Sequence, residues 1–163
     1  MTEQVLPAMI RYFQGDARRI NHFLKVFGFA RAIAAGEKLD SGTLDIVETA
    51  ALTHDIGIRV SEAKYGSSSG AYQQTEGPPE AEKLLRGLGA EEAVIDRVCW
   101  LIAHHHTYTG IQDMDYQILV EADFLVNAYE DALSPDAIRA FAKKVFRTQT
   151  GNALLQTVYG NLL

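Results

Sequence analysis

The chain has 163 residues, the size of one domain with a sizeable core, and its 47% hydrophobic and 22% charged residues are ordinary for a globular protein. A net charge of -6 argues against stable binding to nucleic acid, which needs an excess of lysine and arginine, but leaves room for a small anionic substrate beside a bound cation. Cys99 is the single cysteine, which excludes an internal disulfide and any multi-cysteine zinc site.

The first stretch, "MTEQVLPAMIRYFQGD", lacks a basic start followed by an apolar run, so it does not read as a secretory leader. No segment approaches the roughly 18 uninterrupted apolar residues of a membrane span, and a cytoplasmic location is expected. "DARRINHFLKVFGFARAIAAG" predicts a helix capped by Asp16 and closed near Gly36, with Ile20, Phe23, Phe27, Ala30 and Ile33 facing inward. "TLDIVETAALTHDIG" predicts a second, from a Thr43 cap to Gly57. "RVSEAKYGSSSGAYQQTEG", residues 59–77, predicts an irregular, functional or mobile loop. "PPEAEKLLRGLG" follows as a helix opened by two prolines. "EEAVIDRVCWLIAHHH" stacks Val94, Val98, Leu101 and Ile102 on one side, and "DYQILVEADFLVNAYED" takes Asp115 as its cap. "SPDAIRAFAKKVFRT" opens on Ser134 and Pro135, and "NALLQTVYGNLL" ends the chain. The expected fold is all-α, a compact bundle of about seven helices forming a single domain over residues 1–163.

Ionisable residues interrupt three of these apolar stripes. His22 precedes Val26, Phe29 and Ile33 on one face; His54 follows Val47 and Ala51, with Asp55 beside it; Asp123 lies between Leu119 and Val126. Each has an ordinary explanation alone: His22 as a hydrogen-bonded core histidine, Asp123 as a partner of Arg97. Together they offer two imidazoles and two carboxylates, a nitrogen–oxygen set suited to manganese, iron or zinc. An unpaired buried charge costs several kcal/mol, and one divalent cation would satisfy all four. Adjacent residues on a regular helix point about 100° apart, so His54 and Asp55 can reach one ion only at the helix end that Gly57 signals.

With these residues in place, "AALTHDIG" closely resembles the central motif of the HD-domain superfamily of metal-dependent phosphohydrolases. "VEADFLVN" resembles that family's late aspartate helix, and "EGPPEAEKLLRGLGAEEAVIDRVCWLIAHHH" is similar to the segment between; the resemblance spans residues 17–130, with 134–163 completing the bundle. It implies an all-helical HD-type bundle, a divalent metal ion (manganese, iron, zinc or magnesium) on His22, His54, Asp55 and Asp123, and a phosphoester or phosphoanhydride substrate, often a nucleotide. Two departures stand out. Ile58, then Arg59, follow the central glycine where many members have lysine, and Gln73, Gln74 and Glu76 stand where members with two metals have a histidine. One tightly held ion per chain is therefore expected.

Asp55 is the expected metal-bridging and water-orienting group. Of the run His104–His106, His105 continues the apolar stripe with His104 beside it, and these two are expected to act on the phosphoryl group, with His106 pointing away. A solvated helix end interacting with the helix dipole is the plainer account of the run. Arg59, Lys64, Arg19 and Gln73 are candidate substrate-binding residues, against the plainer reading of solvated surface side chains. A small phosphorylated substrate is the expected partner. A metal- or nucleotide-binding module without turnover, and a di-iron oxygenase of the same fold, are the alternatives.

Overall fold

Nine helices and no strand make up the described residues, 1–160, of the computed structural model. Residues 161–163, the end of the segment expected to close the chain as a helix, lie outside them. The helices are α1 (Thr2–Tyr12), α2 (Ala17–Gly36), α3 (Ser41–Thr53), α4 (Ile58–Tyr65), α5 (Gly70–Gly87), α6 (Glu92–His104), α7 (Met114–Glu130), α8 (Pro135–Val145) and α9 (Gln149–Tyr159). The two beyond the expected seven are α1 and α4.

The core is built around α7, which packs against α2 and α3; α3 also meets α6, and α5 lies along α6. Every residue from Asp115 to Val126 is buried. Such a helix is held mainly by its apolar residues, and Ile118, Leu119 and Leu125 each contribute about 1.5–3 kcal/mol by burial. The polar residues of α7 therefore need partners. Glu121, fully buried, accepts hydrogen bonds from Gln117 Nε2 at 2.6 Å, Arg147 N at 2.7 Å, Thr148 N at 3.0 Å and the Thr148 hydroxyl, which ties the α8–α9 turn to the core. Asp115 is held by Arg97 at 2.6 and 2.7 Å. Arg97 thus serves Asp113 and Asp115 rather than Asp123.

Local signals explain several ends. The Asp16 side chain accepts from Arg19 N at 3.1 Å, and Ser134 from Ala137 N at 3.2 Å with Pro135 in the first turn. Two caps differ from expectation by a few residues. Asp40, not Thr43, caps α3, accepting from Gly42 N and Thr43 N, and Asp113, not Asp115, precedes α7.

The expected loop over 59–77 is corrected: only Gly66–Ser69 lies between α4 and α5. Gly66 ends α4 in the left-handed conformation (φ 64°), and α5 starts eight residues ahead of Pro78 and runs through both prolines. Packing overrides the missing proline donors here. A Cβ on Gly57 would sit 2.6 Å from Gly77 N, and one on Gly77 would sit 2.6 Å from Ile102 Cγ2. Only glycines let α5 come this close to the α3–α4 junction, and that approach carries Gln73 to the site.

Candidate metal centre

His22 stands on the second turn of α2, His54 directly after α3, Asp55 in the turn before α4, and Asp123 midway along α7. Backbone bonds from Ile56 N to Thr53 O (2.9 Å) and Ile58 N to Asp55 O (3.0 Å) tighten the chain where α3 ends. This break in the regular helix lets the neighbours His54 and Asp55 serve one point in space.

The ring nitrogens are already assigned roles by their surroundings. His22 Nδ1 donates to Glu130 Oε2 at 2.8 Å, and His54 Nδ1 donates to Ala51 O at 2.8 Å. Both acceptors lack a proton to give, so each neutral ring turns an Nε2 lone pair inward. The two Nε2 atoms face each other at 3.2 Å. Asp123 Oδ1 lies 3.3 Å from His22 Nε2 and 3.5 Å from His54 Nε2, and Asp55 Oδ2 lies 3.4 and 3.5 Å from the same atoms. Asp123 Oδ1 is buried with no hydrogen-bond donor among the described residues, in contrast to Glu121 two residues earlier. The centre is thus two facing imidazole nitrogens with a carboxylate oxygen from Asp123 and another from Asp55 each close to both.

A proton or a cation can occupy such a point. Burial works to lower the pKa of His54, but the charges of Asp55 and Asp123 outweigh it and push it up to about 9. Burial likewise opposes, and the Asp123 contact outweighs, protonation of His22, whose pKa is raised. Burial raises and the histidines lower the carboxyl of Asp123, leaving it well below the usual range; the carboxyl of Asp55 is also lowered, His54 outweighing burial. Two Nε2–H groups at 3.2 Å would point at each other, so protons satisfy the set incompletely. A divalent metal fits it without that conflict, and a metal-binding histidine ordinarily donates its other N–H to a carboxylate or carbonyl as both rings do here. His22, His54 and Asp123 form one group able to hold such an ion.

A second group, Asp55, His105 and His106, adjoins the first. Asp55 turns Oδ2 to His22 and His54 and Oδ1 to His105 Nε2, 3.7 Å away. His105 Nδ1 donates to Ile102 O, leaving its buried Nε2 without a hydrogen-bond partner among the described residues. His106 Nε2 faces Gln73 Oε1 at 3.3 Å, and Gln73 Nε2 donates to Ser68 O at 2.7 Å. Burial, helped by the neighbouring His105, lowers the pKa of His106 to about 4.

The expected division of the histidine run is therefore corrected. His104 is outside the site: its ring stacks on Trp100 at 4.1 Å and its Nδ1 meets Trp100 O. His106, expected to point away, stands inside. The cause is the end of α6 at His104, where the turn closed by Thr107 N on His104 O re-aims the next two rings. His106 also supplies an imidazole on the Gln73 side, where none was expected.

A cleft of about 400 Å³ opens beside Asp55, Asp123 and His106, with Gln73 in its lining. A smaller one, about 160 Å³, reaches Asp55 from the side of His22, Arg18 and Arg19. The remaining candidates are engaged elsewhere. Arg59 donates to Tyr12 O at 2.7 Å, Lys64 pairs with Glu76 at 2.6 Å, and Arg19 is held between Asp16 and Glu62 at 2.5 Å each. Glu130, which orients His22, escaped the sequence reading because the last residue of a helix looks like solvated surface.

A family model for the HD domain matches residues 19–142, and the chain belongs to the HD-domain family, a family of metal-dependent hydrolases. It is similar to the crystal structure of a predicted HD superfamily hydrolase from an uncultured Thermotogales bacterium. The identity is 26% and the TM-score 0.67, over 96% of this chain and 84% of that one. No curated protein matches the chain in sequence. Among the described residues no helix is long and apolar enough to cross a membrane.

Proposed function

We propose that the protein hydrolyses a phosphoester or phosphoanhydride, of a nucleotide or related small molecule, using a divalent ion held by His22, His54, Asp55 and Asp123. The observation that carries this reading is the approach of two carboxylate oxygens, Asp55 Oδ2 and Asp123 Oδ1, to within 3.3–3.5 Å of the facing His22 and His54 Nε2 atoms, themselves 3.2 Å apart, with Asp123 Oδ1 buried and without a donor among the described residues. Membership of the HD family and likeness to a predicted HD superfamily hydrolase support the reaction class. A small phosphorylated partner rather than a nucleic acid suits the net charge of -6.

A divalent ion, when bound, supplies Lewis-acid activation of water and of a phosphoryl oxygen. The chain's own groups do the rest. Asp55 lines both clefts, where its carboxylate holds an attacking water in line and takes up its proton. His105 turns its buried Nε2 toward Asp55 Oδ1 at 3.7 Å, next to the position an ion or water on Asp55 would take. His106 lines the larger cleft and, kept neutral by burial, is placed to contact the phosphoryl group as an uncharged polar ring. Tyr108, Phe124 and Phe141 exclude bulk water from one side.

The test is phosphate release from a panel of nucleotides and model phosphoesters by protein stripped with a chelator and reloaded with manganese. Release that depends on metal and disappears in Asp55→Ala is expected. Tight metal binding with no release from any member would overturn the hydrolase reading. Nucleotide binding in that case would identify a module without turnover, a reading favoured by the engagement of Arg59 with Tyr12 and of Arg19 with Asp16 and Glu62.

A further inference from the structure

The two clefts share Asp55, Asn127 and Asp131, so they are halves of one trough passing the metal centre. Their walls differ. In the larger half Phe124 and Phe141 stack nearly parallel at 3.8 Å, and Tyr108 meets Phe141 edge-on at 5.0 Å. Val120 and Leu133 extend this apolar wall, and among the described residues no lysine or arginine lines it. Asp131 instead adds a carboxylate to those of Asp55 and Asp123. The arginines stand in the smaller half. Arg19 is already held by two carboxylates, whereas Arg18, exposed, makes no hydrogen bond or ion pair among the described residues.

This trough can neutralise one phosphoryl group, set between the metal centre and Arg18, and then offers the rest of the molecule an aromatic wall. A second phosphate or a carboxylate entering the larger half would meet the carboxylates of Asp55, Asp123 and Asp131, with no lysine or arginine among the described residues lining it to offset the like charges. A flat uncharged ring would instead lie against the part-exposed rings of Phe141 and Tyr108, which the buried Phe124 backs. We infer that the substrate is a phosphate monoester whose leaving group carries a flat, uncharged, largely apolar surface, and that diphosphates and triphosphates are discriminated against. This narrows the substrate of the phosphohydrolase reading and rests on it. In the reaction, water oxygen bonds to phosphorus as the ester P–O bond breaks, and the leaving oxygen takes a proton. Inorganic phosphate and a free alcohol or phenol result.

The test is calorimetric binding of three non-hydrolysable probes to the manganese-loaded full chain: methylphosphonate, benzylphosphonate and 4-carboxybenzylphosphonate. Benzylphosphonate should bind about tenfold tighter than either of the others, the usual discrimination of an apolar pocket. Phe141→Leu should bring the benzyl-to-methyl ratio toward one, and Asp131→Asn should narrow the gap to the carboxylated probe. Equal binding of the methyl and benzyl probes, or binding of the carboxylated probe as tight as benzyl, overturns the inference, and the wild-type series decides this even if a variant fails to fold. Phenyl phosphate turnover, run alongside, separates the two levels. Release with the wrong probe ranking sinks only the substrate class, whereas the expected ranking without release sinks hydrolysis and keeps the pocket's preference.

Discussion

Glu130→Gln is the sharpest probe of the centre, because it leaves all four inward-facing acceptor atoms untouched. The Glu130 side chain is 17% exposed and accepts a hydrogen bond from His22 Nδ1–H at 2.8 Å, fixing the tautomer and aim of the ring. A hydrogen bond to a charged group is worth about 1.5–3 kcal/mol, and losing such an outer partner typically costs about 10–100-fold in metal affinity. Gln keeps an acceptor oxygen and loses the charge, so the low end, about tenfold, is expected for it. Leu removes the acceptor and strands a buried N–H, so Glu130→Leu should approach about a hundredfold. Lys25 pairs with the same carboxylate but is 45% exposed, and Lys25→Met should cost less than about fivefold. Competition with a fluorescent chelator reads the affinity of manganese or zinc, and circular dichroism checks the fold. Wild-type affinity in folded Gln and Leu variants would refute an ion on His22.

Elemental analysis of gently purified protein should find close to one tightly held ion per chain, with any second ion, at Asp55, His105 and His106, lost on dialysis. His106→Ala should lower turnover by about a hundredfold, the scale of a lost polar contact to the phosphoryl group, while His104→Ala stays within about threefold, measured as kcat on one phosphoester. The metal-free protein should lose stability as pH rises: His54 is raised from 6.5 to about 9, so its contribution is complete below 6.5 and lost through about 9. Urea unfolding at pH 6 and pH 9.5 checks this, and a metal-free protein more stable at the higher pH would contradict it. Gly57→Ala should destabilise by about 1–3 kcal/mol, lowering Tm by several degrees, because its Cβ would meet the Gly77 backbone.

Much of the fold was readable along the chain. The stripe of α2 and the caps Asp16 and Ser134 follow from residues within a few positions of one another, where helical geometry decides who meets whom. α1 was missed because its buried stripe, Val5 and Met9, is short and interrupted by Pro7; α4 and the start of α5 were missed because their small and polar residues carry little periodicity. At the site, polar residues on apolar faces singled out His22, His54, Asp55 and Asp123, since a charge in a core stripe is anomalous by itself.

The sequence alone determined the helical class, most helix positions and four of the polar residues that lie inside, His22, His54, Asp55 and Asp123, but not Glu121 or Asp115. Tertiary packing decided which partner each one found. It gave Arg97 to Asp115, filled Glu121 with donors and left Asp123 Oδ1 with none. It turned His104 onto Trp100 and His106 toward Gln73, although the three histidines are neighbours in the chain. The physical reason is range: a helical stripe is set by contacts three or four residues apart, whereas the direction of a side chain past a helix end depends on elements dozens of residues away.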